Sequence, residues 1–178
     1  MRALVIGGDS KLGRALHERL LARGHEVVCT TRQRRKATIA AVGPIYFDML
    51  DPRLPSKVAD AGAGGEVVVY IMAAITGTVP AESHPDAWRV NAEAPVVIAL
   101  EARARAWHVV FMSSGTVELA QHSASARQKS YAEAIVHMCG GCVVRPLPTV
   151  PSEKYAQLAD LLVTVGERRV VGVVRWDG

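Results

Sequence analysis

The segment Ile6-Gly7-Gly8-Asp9-Ser10-Lys11-Leu12-Gly13 constrains this chain more than any other, because of what flanks it. A short apolar run, Ala3–Ile6, precedes it. After it, Lys11–Arg23 carries Leu12, Ala15, Leu16 and Leu20 on one helical face, with Arg14, His17 and Glu18 turned away. The pattern is a buried strand feeding directly into an amphipathic helix. Gly7 ends the strand, and Gly13 falls in the first helical turn, where the missing side chain lets helix and strand approach closely. Such a turn is an anion site by construction. The helix start offers free N–H groups and a positive dipole end, and glycine lets the backbone come close to a pyrophosphate. The loop residues Gly7, Gly8, Asp9, Ser10, Lys11, Leu12 and Gly13 are therefore expected to cradle a dinucleotide. Its spacing is Gly7-x-x-Ser10-x-x-Gly13, with serine where a middle glycine is common.

The rest of the chain repeats the strand-then-helix theme. Apolar runs rich in β-branched residues occur at Glu26–Cys29, Ile45–Phe47, Val67–Ile71, His108–Met112, Cys142–Val144 and Val170–Val174. They are bounded by Gly, Pro or charge, as buried parallel strands should be. Helices are expected over Pro52–Ala63, Pro85–Arg105, Ser123–Met138 and Ser152–Val165. With the first run, this gives about seven strands in an α/β, doubly wound parallel sheet, read as one domain over residues 1–178.

Composition excludes several classes. A net charge of +4 with cations gathered at Arg32, Arg34, Arg35 and Lys36, and few aromatics, does not make a nucleic-acid surface. No apolar run reaches the roughly 18 residues of a membrane span, and no signal peptide is evident at the N-terminus, so a cytoplasmic location is expected. Cys29, Cys139 and Cys142 cannot form a disulfide framework, and no second pair completes a metal site with Cys139-Gly-Gly-Cys142. Those two cysteines are read as a helix end and a strand start.

The second strand bears on which dinucleotide is taken. A site for NAD(H) wants an acid at that strand's end, to accept from the ribose 2′-hydroxyl. Here the strand ends Cys29-Thr30-Thr31-Arg32, and no acid follows until Asp48. Hydroxyls and a guanidinium suit a 2′-phosphate. NADP(H) is expected over NAD(H), with Thr31, Arg32 and Arg35 at the phosphate.

With these residues in place, the chain resembles the short-chain dehydrogenase/reductase superfamily, nearest its extended epimerase/dehydratase branch, over residues 1–151. Phe47-Asp48-Met49-Leu50-Asp51 resembles the segment after the third strand, which implies that Asp48 and Met49 meet adenine. Val69–Ala74 resembles the fourth-strand end, placing Met72, Ala73 and Ala74 beside the cofactor. Trp88-Arg89-Val90-Asn91 resembles the helix with a structural Asn, and Asn91 is counted with the residues expected to bind the cofactor; Phe111–Val117 places Ser114 at the substrate-binding serine. Val144-Arg145-Pro146 resembles the close of the sixth strand. The resemblance implies a Rossmann fold and hydride exchange with a nicotinamide cofactor.

Members of that superfamily carry Tyr-x-x-x-Lys on the fifth helix. The tyrosine exchanges a proton with the substrate, and the lysine holds the nicotinamide ribose and lowers the tyrosine pKa. Here the helix reads Ala126-Arg127-Gln128-Lys129-Ser130-Tyr131-Ala132-Glu133-Ala134-Ile135. One register keeps Tyr131 as the tyrosine, with Ile135 for the lysine. The other sets Arg127 for the tyrosine and Tyr131 for the lysine, and the 13 residues between Tyr131 and Arg145 favour it. Neither contains the dyad, and Lys129 stands on a different helical face from Tyr131. Ser114, Tyr131 and Glu118 are the candidate catalytic residues.

Only 27 residues follow Pro151, so no full C-terminal substrate domain is expected, and a shallow pocket for a small-molecule substrate is expected instead. A second copy of the chain, as a homodimer, would complete it. Two functions remain open: an NADP(H)-dependent oxidoreductase of a small carbonyl or hydroxyl substrate, and a non-catalytic NADP(H)-binding sensor or complex subunit.

Overall fold

The structure is a computed structural model and describes residues 1–33, 45–63, 65–76, 78–120 and 122–178. Seven strands form one parallel sheet: β1 (Arg2–Ile6), β2 (Glu26–Thr31), β3 (Ile45–Tyr46), β4 (Val67–Ile71), β5 (His108–Met112), β6 (Cys142–Pro146) and β7 (Gly172–Trp176). Their order is β3-β2-β1-β4-β5-β6-β7. The helices are α1 (Lys11–Ala22), α2 (Leu54–Ala61), α3 (Thr78–Ser83), α4 (Ala94–Ala104), α5 (Thr116–Leu119), α6 (Ala124–Met138) and α7 (Tyr155–Glu167).

Alternation along each strand builds two cores. Leu4, Ile6, Val69, Ile71, Val109, Phe111 and Val143 pack beneath α2, α4 and α6. Ala3, Val5, Val68, Tyr70, Val110, Cys142 and Val144 pack against α1 and α7. A sheet buried on both faces needs continuous apolar strands, and β4 (Val-Val-Val-Tyr-Ile) is buried throughout. β1 pairs with β2 on one side and β4 on the other, so the winding direction reverses at β1. The crevice at the carboxyl ends of β1, β2 and β4 is the binding position such a sheet creates.

Four elements differ from the sequence reading. β7 begins at Gly172 rather than Val170, because Arg169 turns left-handed (φ 47°) and the Val170 N–H returns to the Val165 carbonyl (3.0 Å), closing α7. The helix expected over Pro85–Arg105 opens with a turn, in which the Asp86 N–H donates to His84 Nδ1 (3.1 Å). It then passes through a π-helical stretch, Arg89–Glu93, before α4. Pro95 has no N–H and its ring crowds the carbonyl four residues back, which the widened turn accommodates. The short helices α3 and α5 carried no periodic signal. Cys139 ends α6 and Cys142 opens β6, as read, and burial pushes the Cys142 thiol up to about 11.

Candidate functional site

The loop between β1 and α1 is closed by Ser10. Its hydroxyl donates to the Gly7 carbonyl (3.0 Å) and accepts from the Gly13 N–H (2.9 Å), so the serine is the N-cap of α1. Among the described residues, the Lys11 and Leu12 N–H groups have no protein acceptor and remain as helix-terminal donors. Gly7 has φ +90°, and a Cβ there would lie 2.8 Å from the Ala73 nitrogen. At Gly13 a Cβ would lie 2.4 Å from the Gly7 carbonyl oxygen. Both glycines are required by close backbone approach.

A cleft of about 250 Å³ opens beside this loop. Gly7, Asp9 and Ser10 form one wall, and Thr30, Thr31 and Arg32 at the end of β2 form the next. Phe47, Asp48 and Met49 after β3, with Met72, Ala73 and Ala74 after β4, complete it. Thr30, not singled out in the sequence, accepts the Gly7 N–H at Oγ1 (3.1 Å) and ties the loop to β2. Asp48 uses Oδ1 to accept from the Leu50 N–H (3.0 Å), which orders the segment beneath the cleft. Arg35 lies outside the described residues.

The structure corrects two roles. Thr31 is 2 % exposed, and its hydroxyl donates to Asp9 Oδ2 (2.9 Å) while accepting from the Gln33 N–H (3.0 Å). Its proton is committed to Asp9, so it does not donate to a phosphate. Asn91 accepts from the Ile75 N–H (2.8 Å) and donates to the Ile75 carbonyl (2.9 Å) and to Gln128 Oε1 (2.8 Å). Gln128 in turn donates to the Ala81 carbonyl (3.0 Å). This buried amide network consumes Asn91, which fixes the segment after β4 rather than reaching a ligand itself.

Around β5 and α6 the candidates separate. Ser114 Oγ accepts from the Thr116 N–H (3.2 Å) and hydroxyl (3.0 Å) at the carboxyl end of β5. Tyr131 is 47 % exposed, its ring 5.5 Å from that of Trp88, which is itself 44 % exposed. It faces out from α6 and does not line the cleft, so both registers weighed above misplace it. The inward residue is Lys129. It is 6 % exposed, its Nζ donates to the Met112 carbonyl (3.1 Å), and it lies over the Phe111 ring (5.3 Å). Burial pulls its ammonium down to about 8, with the charge of Glu133 resisting. One turn earlier on the same face is Ser125, so the helix carries Ser125-x-x-x-Lys129. The spacing Lys129, Glu133 was the available signal: Glu133 takes Arg145 through two hydrogen bonds to Nε (3.0 and 3.2 Å) and an ion pair to Nη2, locking α6 to β6.

Glu118 is also corrected. Arg145 Nη1 (2.5 Å) and Arg175 (2.9 Å) hold its carboxylate, and hydrogen bonds from Arg175 and then Arg145 lower its pKa. A carboxyl kept ionised by two guanidinium groups does not donate protons near neutral pH.

The family model for the NAD dependent epimerase/dehydratase family matches residues 3–137. The chain belongs to that family. No curated protein matches it in sequence. Among solved structures, a hypothetical dTDP-4-dehydrorhamnose reductase from Sulfolobus tokodaii is 19% identical with TM-score 0.82, over 100% of this chain and 77% of that one. The dTDP-4-dehydrorhamnose reductase of Bacillus anthracis in complex with NADP is 14% identical with TM-score 0.79, over 99% and 74%. An oxidoreductase (short chain dehydrogenase/reductase) from Brucella ovis is 19% identical with TM-score 0.72, covering 99% of both chains. These likenesses show the shared Rossmann fold.

The cradle fits the dinucleotide such a family takes. Gly7 lines the cleft, and among the described residues the Lys11 and Leu12 amides stand unpaired at the helix start beside it. Among the described residues, no helix is long and apolar enough to cross a membrane and no His/Cys/Asp/Glu cluster could hold a metal.

Proposed function

We propose that this chain is an NAD(P)(H)-dependent oxidoreductase that reduces a small carbonyl substrate or oxidises the corresponding alcohol. The observation that carries the reading is the glycine-walled cleft at the switch point of the sheet, with the Ser114–Thr116 hydroxyl pair at the end of β5. In this reading the Lys11 and Leu12 amides hold the pyrophosphate. Arg32, exposed at the rim with no ion pair among the described residues, serves a 2′-phosphate and favours NADP(H). The bound nicotinamide supplies or accepts the hydride. Ser114 orients the substrate oxygen. Lys129 fixes positive charge behind the end of β5 and, by the family resemblance, serves the nicotinamide ribose.

One observation favours a second reading, a binder without turnover. No tyrosine stands one turn before Lys129, and Glu118 is tied up by arginines. Positioned acid–base catalysis is worth roughly 10²–10⁴-fold, so a serine at that place predicts slow reduction. Loss of reduced-nicotinamide absorbance, followed against a panel of small aldehydes and ketones, decides between the readings. Slow saturable turnover that falls in Ser114→Ala supports the enzyme; tight nucleotide binding with no turnover supports the binder.

A further inference from the structure

The second strand lacks the acid that would accept a ribose 2′-hydroxyl, yet the cleft does not lack one. Asp9 reaches the end of β2 from the opposite wall, held there by the Thr31 hydroxyl at 2.9 Å. Thr31 is itself oriented by the Gln33 N–H (3.0 Å), so its proton points at the carboxylate and leaves Asp9 as an acceptor on the cleft side. The charge is felt locally: burial first, and then Asp9, push the neighbouring Cys29 thiol up to about 11. Arg32 lines the same cleft, and among the described residues it forms no ion pair with Asp9. An aspartate and an arginine thus line one small volume with no ion pair between them.

These two groups make opposite demands on what sits between them. A hydroxyl donates to a carboxylate and is indifferent to a nearby guanidinium. A phosphate gains charge-assisted bonds from the guanidinium and is repelled by the carboxylate. We propose that Asp9, positioned by Thr31, is a specificity-determining residue that accepts the adenosine 2′-hydroxyl and penalises a 2′-phosphate, so that the site discriminates only weakly between NADP(H) and NAD(H). This rests on the dinucleotide reading of the cleft and refines it. The preference that Arg32 supplies is opposed from across the cleft, and removing the carboxylate releases it.

The test is calorimetric titration of the folded full chain with NADPH and NADH, for the native protein, Asp9→Asn and Asp9→Ser. The same titrations with 2′,5′-ADP and 5′-AMP isolate the 2′ position from the nicotinamide and from turnover. In both variants NADPH should bind more tightly and NADH more weakly, and the affinity ratio should move by roughly tenfold or more, the size of one like-charge contact at a partly solvated surface. The gain for 2′,5′-ADP should shrink as ionic strength rises. Circular dichroism establishes that each variant is folded. If the native protein binds both dinucleotides but the ratio stays put in both variants, the role of Asp9 is refuted while the cleft stands. If the native protein binds neither, the dinucleotide reading fails and this inference fails with it.

Discussion

Lys129→Met should stabilise the protein while damaging its site. Lys129 is almost fully buried in the α6–β5 interface, and burial lowers its ammonium from an ordinary 10.5 to about 8. A shift of that size corresponds to about 3 kcal/mol of cost for keeping the charged form at neutral pH. The ammonium over Phe111 returns about 1 kcal/mol, which leaves a net penalty of about 2 kcal/mol that methionine, of similar volume, would not incur. The sign follows from linkage. Between the folded value near 8 and the unfolded value near 10.5, the unfolded chain binds more protons, so the penalty is full below pH 8 and fades as pH rises. Urea denaturation of both proteins at pH 7 and pH 10 reads this directly, and the difference between them cancels the alkaline titrations of Cys29, Cys142 and Tyr70. The variant should be more stable by about 2 kcal/mol at pH 7, and its advantage should fall below about 1 kcal/mol by pH 10. A variant less stable at pH 7, or a gap that ignores pH, would show that the buried ammonium is a net stabiliser and refute this reasoning.

Other outcomes follow from the same geometry. Gly13→Val should abolish nucleotide binding by calorimetry in a protein that still folds, with stability lower by about 1–3 kcal/mol, because its Cβ would meet the Gly7 carbonyl and the Gly8 Cα. Arg32→Ala should weaken NADPH about tenfold or more and leave NADH nearly unchanged, one charge-assisted contact being worth about 1.5–3 kcal/mol; equal losses for both would remove Arg32 from the 2′ position. Tyr131→Phe should leave nucleotide affinity and turnover within about twofold, since its ring stacks outward on Trp88. A hundredfold fall in rate would return Tyr131 to the site.

What was legible in the sequence was what is local. The strand–loop–helix unit at the start is dictated by glycines and an amphipathic stripe within two dozen residues, and the strand runs are visible because both faces of the sheet are buried. Even so, Ser10 reads as a lost glycine, when its hydroxyl closes the loop and caps α1. Pairings across the crevice were not legible. Nothing in the order of residues says that Asp9 meets Thr31, so the missing acid after β2 suggested a plain phosphate site. The phase of α6 is hidden in the sequence for a similar reason. Ser130-Tyr131-Ala132-Glu133-Ala134 looked like a family pattern, while the helical phase that turns Lys129 and Glu133 inward and Tyr131 outward depends on where β5 and β6 lie. β7 was displaced because Val170 and Val171 are as apolar as a strand, yet they follow the left-handed Arg169 that ends the preceding helix.

The central claim is that the cleft at the ends of β1, β2 and β4 holds a nicotinamide dinucleotide. Amide hydrogen exchange of the full chain, with and without saturating NADPH, tests both the binding and its place. Protection is expected in residues 7–13, 30–33, 47–50 and 72–76, with residues 118–123 and the outer face of α6 unchanged. Protection confined to those latter segments, or none anywhere at millimolar NADPH, would contradict it.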